Sequence, residues 1–191
     1  MRARDEMLTA VRAAKPAALP RPDLAAVSRF ARAENLVAVF AESARLAGAS
    51  VLLTTRGGVD AFVDSASKPN ERRVSMLDVD GVHHDATADD FANTDLFVCE
   101  GVIGVAETGA VWLPLSRLRH RAALFLATNV IIVLEQSRIV NNVHDAYAAI
   151  DVAEEECGVF VAGPSKTADI EQMLVIGAHG PKALTVLLVE G

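Results

Sequence analysis

Two distant segments of the sequence collect the side chains that could do chemistry. The first, GVIGVAETGAVWLP at residues 101–114 (the Glu107 segment), places Glu107 and Thr108 in a glycine-rich turn between two apolar strands. A carboxylate in such a turn can act as a base or nucleophile, or accept hydrogen bonds from ligand hydroxyls. Spacing alone favours the plainer alternative, a tight turn whose glutamate caps neighbouring amides.

The second segment, GPSKTADIEQMLVIGAHGP at residues 163–181 (the His179 segment), begins with a Gly-Pro turn after an apolar run. Its pattern predicts a helix from Thr167 to Ile176. Thr167 is then the N-cap, and Asp169 lies in the first turn, where the helix dipole favours negative charge. Capping alone would account for both residues.

A helix N-terminus after a glycine turn is also an anion site, where Ser165 and Lys166 could bind a phosphate or carboxylate. Asp169 and Glu171 place negative charge close by, which favours a ligand with hydroxyls, or a metal, over a simple phosphate. His179 follows in a glycine-rich turn, and its pKa range suits proton transfer. A histidine at such a position is more often a turn residue than a catalyst.

The elements that must position these side chains alternate between helices and apolar strands. Strands are predicted over 50–55, 72–79, 96–99, 109–114, 129–135, 157–163 and 183–190, and further helices over 34–47, 57–68 and 141–150. This alternation predicts an α/β fold with a mainly parallel sheet and flanking helices. Uninterrupted apolar runs such as Val130–Leu134 indicate strands covered on both faces.

Length favours one domain, since 191 residues can bury a sizeable core. Residues 1–22 are predicted to be a helical N-terminal arm, with an amphipathic helix over 4–14 followed by a proline-broken loop. The N-terminal sequence mixes both charge signs and has no signal-peptide pattern.

Composition argues against several classes of protein. The net charge is −7 and no basic cluster with aromatic residues stands out, so nucleic acid is not an expected partner. No run approaches the ~20 apolar residues of a membrane span. The two cysteines, Cys99 and Cys157, lack CxxC spacing and are predicted to be buried structural thiols. We therefore expect a cytoplasmic protein with no cofactor of its own. No metal ligands are assigned, and whether a metal binds the acidic site is left open.

Both segments resemble the signatures of the LUD-domain family, the lactate-utilisation protein C proteins. GPSKTADIEQMLVIGAHGP resembles the family's C-terminal signature and AETG its other one, and MLTAVRAAKP and IVNNVHDAYAAI are also similar to it. The resemblance implies an α/β fold like that of sugar-isomerase and coenzyme-A-transferase domains (the NagB/RpiA/CoA-transferase-like group). It also implies a cluster-free subunit in bacterial oxidation of L-lactate to pyruvate, beside iron–sulfur partner proteins.

Residues that match these signatures, or lie within them, form the predicted site. We expect the catalytic residues to be Glu107, Asp169, Glu171 and His179. The expected ligand-binding residues are Thr108, Gly109, Gly163, Ser165, Lys166, Thr167 and Gly180. Both segments follow strand ends, so we expect them to converge on one small-molecule pocket.

One stretch departs from the family pattern. LPLSRLRHR carries no Pro-Pro-x-His segment and offers a basic cluster instead, formed by Arg117, Arg119, His120 and Arg121. The cluster meets a carboxylate substrate or an acidic partner, or it is a solvated loop. The departure weakens lactate as the specific substrate.

Three functions stay open on the sequence. The chain is a subunit of a lactate-oxidising complex, a stand-alone enzyme for a small phosphorylated, acyl or hydroxy-acid ligand, or a ligand-sensing or structural domain. Whether the chain is catalytic by itself, and whether it forms an oligomer, are left open.

Overall fold

A computed structural model describes residues 3–16, 20, 32–77, 93–118, 122–151, 157–170 and 173–190. The chain divides into two compact units, Met1–Phe30 and Ala31–Gly191. The first unit contains helix α1 (Ala3–Ala13), which carries acidic residues in its first turn and a basic residue in its last. Charges of these signs at these two ends interact favourably with the helix dipole.

The described part of the second unit contains four helices and eleven strands. The helices are α2 (Leu36–Leu46), α3 (Val59–Ala66), α4 (Ala123–Leu126) and α5 (Val143–Ala149). The strands are β1 (Ser50–Thr55), β2 (Arg73–Ser75), β3 (Leu96–Glu100), β4 (Ile103–Val105), β5 (Ala110–Pro114), β6 (Asn129–Glu135), β7 (Ile139–Val140), β8 (Gly158–Val161), β9 (Lys166–Ile170), β10 (Met173–Ile176) and β11 (Ala183–Glu190).

A five-stranded parallel sheet in the order β1-β11-β6-β3-β2 is the centre of the unit. Its middle strand β6 is paired on both sides, so that Ile132 lies opposite both Val186 and Cys99. Strands buried on both faces must be apolar at successive positions, and β6 is buried from Val130 to Leu134. The predicted mainly parallel sheet with flanking helices is confirmed.

The two faces of this sheet are covered differently. On one face, α3 packs Val59 and Val63 against alternate residues of the central strands, including Ile131 and Val133. On the other face, α2 and the second sheet pack against the intervening residues, among them Ile132. Each such aliphatic side chain contributes about 1.5–3 kcal/mol on full burial, so the two cores together hold this unit together.

The second sheet has four strands in the order β7-β4-β5-β8, with β4 and β5 antiparallel. Helix α5 covers the face of this sheet that points away from the parallel sheet, where Val105 and Ala146 are fully buried. The sequence did not predict β4 or β7. These strands have three and two residues, which is too short for an alternating pattern to register.

The helix predicted over Thr167–Ile176 is wrong. The structure places two antiparallel strands there, β9 and β10, with Ile176 opposite Lys166 and Met173 opposite Ile170. Thr167 is therefore a strand residue and not an N-cap, and Asp169 lies in β9 and not in a helical turn. The apolar residues of β10 are mostly exposed, so no buried stripe required a helix.

Candidate functional site

The Glu107 turn connects β4 to β5 and lies against the start of α5. The Glu107 N–H donates to the Asn141 carbonyl at 3.0 Å. Its carboxylate Oε2 accepts a hydrogen bond from the Val143 N–H at 3.3 Å. Helix α5 already has an N-cap, Asn142, whose side chain accepts from the Asp145 N–H at 2.9 Å. Glu107 thus satisfies a first-turn amide and places negative charge at the positive end of the helix.

The same turn is held on its other side by helix α2. Gly109 has φ of 66°, and a β-carbon there would lie 2.2 Å from the Ala44 backbone nitrogen. Only glycine combines that conformation with such an approach of two backbones. Thr108 is exposed, and its hydroxyl accepts a hydrogen bond from the Ala110 N–H at 3.3 Å.

The His179 segment contacts the same helix one turn further on. Gly163 has φ of 72°, and a β-carbon there would lie 2.0 Å from the Ala47 carbonyl oxygen. Ala44 and Ala47 are three residues apart and therefore project from the same side of the helix. The fold thus brings both segments to neighbouring positions along α2, although they are far apart in sequence.

Ser165 joins the beginning of the His179 segment to its end. Its N–H donates to the Pro181 carbonyl at 2.9 Å, and its own carbonyl accepts from the Gly177 N–H at 2.9 Å. A β-carbon on Gly180 would lie 3.0 Å from the Ser165 β-carbon, so these two predicted ligand-binding residues are in contact. His179 is exposed in the turn between β10 and β11.

Lys166 takes a position that sequence reasoning missed. Its amine donates a hydrogen bond to the Ala47 carbonyl at the end of α2. A cation at that end of a helix is stabilised by the helix dipole. Thr167 is half-buried in β9, opposite Val175. Glu171 lies outside the described residues, as do Arg119, His120 and Arg121 of the basic cluster.

A cavity of about 350 Å³ opens beside the Glu107 turn, between the approach to α2 and the start of α5. Its charged residues are Arg32 and Asp145, and Asn141 lies between the cavity and the turn. The Asn141 side-chain oxygen accepts from the Ala33 N–H at 3.1 Å, and its carbonyl accepts from Glu107. Sequence reasoning did not find this cavity because its walls come from segments about a hundred residues apart, with no shared motif.

The two cysteines lie in different surroundings. Cys99 is fully buried in β3, and desolvation together with the neighbouring Glu100 raises the pKa of its thiol to about 12. Such a thiol is inert at neutral pH. Cys157 is exposed, so its predicted burial is wrong.

Among the residues that the structure describes, no three histidine, cysteine or acidic side chains are grouped as a metal ion would require. No helix in these ranges is long and apolar enough to cross a bilayer.

The architecture defines an α/β protein in which two polar turns contact the same side of one helix through glycine residues. The chain belongs to the LUD-domain family, whose sequence profile matches residues 25–189. A solved protein of the DUF162 family from Deinococcus radiodurans has a similar fold, with a TM-score of 0.61 and 16% sequence identity. The similarity covers 82% of this chain and 96% of that one.

Curated relatives of known name are similar over part of their length. The lactate utilization protein C of Anoxybacillus flavithermus is 36% identical over 88 residues, which are 46% of this chain and 40% of that protein. The protein of the same name from Macrococcus caseolyticus is 30% identical over 137 residues, or 63% and 59% of the two chains. The chain thus matches 40% of the length of the first of these relatives and 59% of the second.

Proposed function

We propose that the chain is a subunit of a lactate-utilisation system that oxidises L-lactate to pyruvate together with iron–sulfur partner proteins. Family membership and the names of the relatives support this role. The observation that carries the proposal is that both family signatures contact the same side of α2, through Gly109 and Gly163. Two separate signatures are expected to contact the same helix if their residues form one common site. The system would act in the cytoplasm.

The site in this proposal lies around these two glycine-containing turns. Glu107 is exposed at the turn, and Ser165 and Gly180 are in contact near the end of the second segment. We assign the acid–base role to Glu107, Asp169, Glu171 and His179, and ligand contacts to Thr108, Ser165, Lys166 and Thr167 with the glycines at 109, 163 and 180. The cavity beside the Glu107 turn, which Arg32 lines, offers a cation for a small carboxylate.

A partner surface is supported by strand β10. The side chains of Met173, Leu174 and Ile176 are 67%, 64% and 50% exposed. Leu174 and Ile176 are two positions apart on the strand and therefore project from the same face of the hairpin, where exposed apolar side chains form the kind of patch that a partner protein covers. The proposed partner is the iron–sulfur subunit.

For the fold, we propose the finer assignment that the chain is similar to NagB/RpiA/CoA-transferase-like domains.

The partner proposal is tested by mixing the purified chain with purified iron–sulfur proteins of a lactate-utilisation system. We expect co-elution in size-exclusion chromatography, measured as iron in the fraction that contains the chain. Leu174→Asp should weaken co-elution, whereas Leu126→Asp, at another exposed leucine, should not. Separate elution of the unaltered proteins would contradict the proposed subunit role.

The chemical role of Glu107 is tested in the same reconstituted mixture by lactate-dependent dye reduction. Glu107→Gln keeps an oxygen that can accept from the Val143 N–H but removes the charge. We expect at least a tenfold loss of rate with an unchanged melting temperature, while Glu42→Gln, at an exposed position of α2, keeps full rate. Full activity of Glu107→Gln would leave Glu107 with the capping role alone.

A further inference from the structure

Strand β1 forms one edge of the five-stranded sheet, and its sequence carries none of the features that discourage an edge from pairing. The sequence, SVLLTT, has no charged residue and no proline, and the strand runs in unbroken register along β11 from Ser50 to Thr55. The strand at the other edge, β2, has only three residues and includes Arg73. Charges, proline, bulges and short length all keep edge strands from pairing with other chains, so β1 is the edge suited to pairing.

The leucines in the middle of β1 are exposed, whereas their neighbours on β11 are buried. Leu52 and Leu53 are 42% and 60% exposed, and the residues opposite them, Leu187 and Leu188, are fully buried. Successive side chains of a strand project to opposite faces of a sheet, so burying both leucines requires cover on both faces. One further strand beyond β1 provides such cover, which a helix on a single face does not.

Two arginines beside β1 are engaged within their own chain. Arg56 follows the strand and donates to the Glu100 carboxylate at 2.8 Å. Since β11 and β6 lie between β1 and β3, the Arg56 side chain is directed away from the free edge. Arg45, in the last turn of α2, donates to the Val51 carbonyl at 3.2 Å.

The charge of the whole chain favours this edge as a contact between two copies. The net charge is −7, so two copies repel each other overall and associate most readily through an uncharged surface. A second copy offers a strand of the same length, with the same uncharged sequence and the same exposed leucines. Strand β1 therefore suits its own copy as a partner.

We propose that β1 pairs antiparallel with β1 of a second copy of the chain, so that the two five-stranded sheets become one continuous sheet. A two-fold axis perpendicular to the sheet brings one residue opposite its own copy, and the axis lies at Leu53, the more exposed leucine. Val51 is then opposite Thr55 of the second copy, and Leu52 is opposite Thr54. No like charges face each other in this register. The dimer does not depend on the proposed lactate role or on the β10 patch.

The mass of the chain in solution tests the pairing, measured by size-exclusion chromatography with light scattering at micromolar concentration. We expect twice the chain mass of 20.2 kDa. Leu53→Lys places two like charges opposite each other and should give the mass of a single chain with an unchanged circular dichroism spectrum. Leu126→Lys, at another exposed leucine, should keep the dimer. A monomeric unaltered chain, or a dimer that Leu174→Lys dissociates and Leu53→Lys does not, would overturn the proposal.

Cross-linking tests the register without introducing a charge. In a chain with Cys157→Ser, which removes the exposed native thiol, Leu53→Cys brings two cysteines opposite each other at the ~4.5–5.5 Å Cα spacing of antiparallel partners. We expect a disulfide-linked dimer under mild oxidation. Leu52→Cys is the matched control, because its own copy lies diagonally at ~7–8 Å, beyond the usual reach of a disulfide. No cross-link at either position, or preferential cross-linking through Leu52→Cys, would refute the proposed pairing.

Discussion

The two signature segments contact the same helix, yet they are built in opposite ways. The Glu107 turn joins strands β4 and β5, which are almost entirely buried, and is held by α5 on one side and α2 on the other. The His179 segment forms a hairpin whose strand β10 is mostly exposed. The two segments share a glycine whose backbone lies close to the backbone of α2. They do not share apolar burial.

The largest expected difference between them concerns the thiols that precede each segment. Cys99 lies in the strand leading to the Glu107 segment, and Cys157 precedes the strand leading to the His179 segment. With the Cys99 pKa near 12, its reaction with a disulfide reagent at neutral pH should be at least about a thousandfold slower than that of Cys157. One fast-reacting thiol per native chain, and two in denaturant, is the expected titration.

The same pKa fixes a direction for stability against pH. The folded-state pKa of Cys99 is above the ordinary value, so stability from burying the neutral thiol is complete below about pH 8.5 and is lost as pH rises toward 12. Cys99→Ala should remove this part of the alkaline decline. Two equally reactive thiols in the native chain would show that β3 is not buried.

Gly109→Ala tests the contact between the Glu107 turn and the last turn of α2. The added methyl would lie within 2.6 Å of three backbone atoms of Ser43 and Ala44, and alanine is strained at a φ of 66°. Because the methyl would collide with three backbone atoms of the last turn of α2 and the backbone conformation is itself strained for alanine, we expect a loss of about 3 kcal/mol or more in the free energy of unfolding. Urea denaturation measures it. A matched control is Gly57→Ala, where a β-carbon meets nothing within 4 Å.

Gly163→Ala tests the contact between the His179 segment and the residue that caps α2. The methyl would meet the Ala47 carbonyl, in the residue that caps α2 and not in its interior. Helix ends can adjust, so we expect a smaller loss, about 2 kcal/mol, from the same urea measurement. A loss larger than that of Gly109→Ala would contradict the prediction that the Gly109 contact contributes more to stability than the Gly163 contact.

Lys166→Met should have the smallest effect. It removes one hydrogen bond to the Ala47 carbonyl and one charge near the C-terminus of α2, while keeping most of the side-chain volume. Because Lys166 is exposed, we expect about 0.5 kcal/mol, decreasing in high salt. Lys166→Arg should retain most of the contact. A change above about 2 kcal/mol would mean that Lys166 supports the hairpin in another way.

The central sheet was predictable, whereas the way the turns are held was not. The strands predicted over 50–55, 129–135 and 183–190 coincide with β1, β6 and β11. In β6 and β11 the continuous apolar run reflects burial on both faces, whereas β1 lies at the edge of the sheet and is mostly exposed. The contact of Glu107 with Val143 joins residues 36 positions apart, and no local pattern encodes it.

The hairpin was missed for a different reason. Threonine and aspartate after a Gly-Pro turn read as a helix start, while the exposed apolar residues of β10 gave no reliable period. Glycine turns on both sides of a run containing Thr167, Ile170, Val175 and Ile176 were the available signal for paired strands.

The position of β11 constrains how the chain acquires its structure during synthesis. Strand β11 lies between β1 and β6, yet β1 begins at Ser50 and β11 at Ala183. On a ribosome, the β1 edge must therefore wait, unpaired, until more than a hundred further residues have emerged. Contacts this distant along the chain slow folding, and the waiting apolar strand is exposed to chaperones and to neighbouring nascent chains.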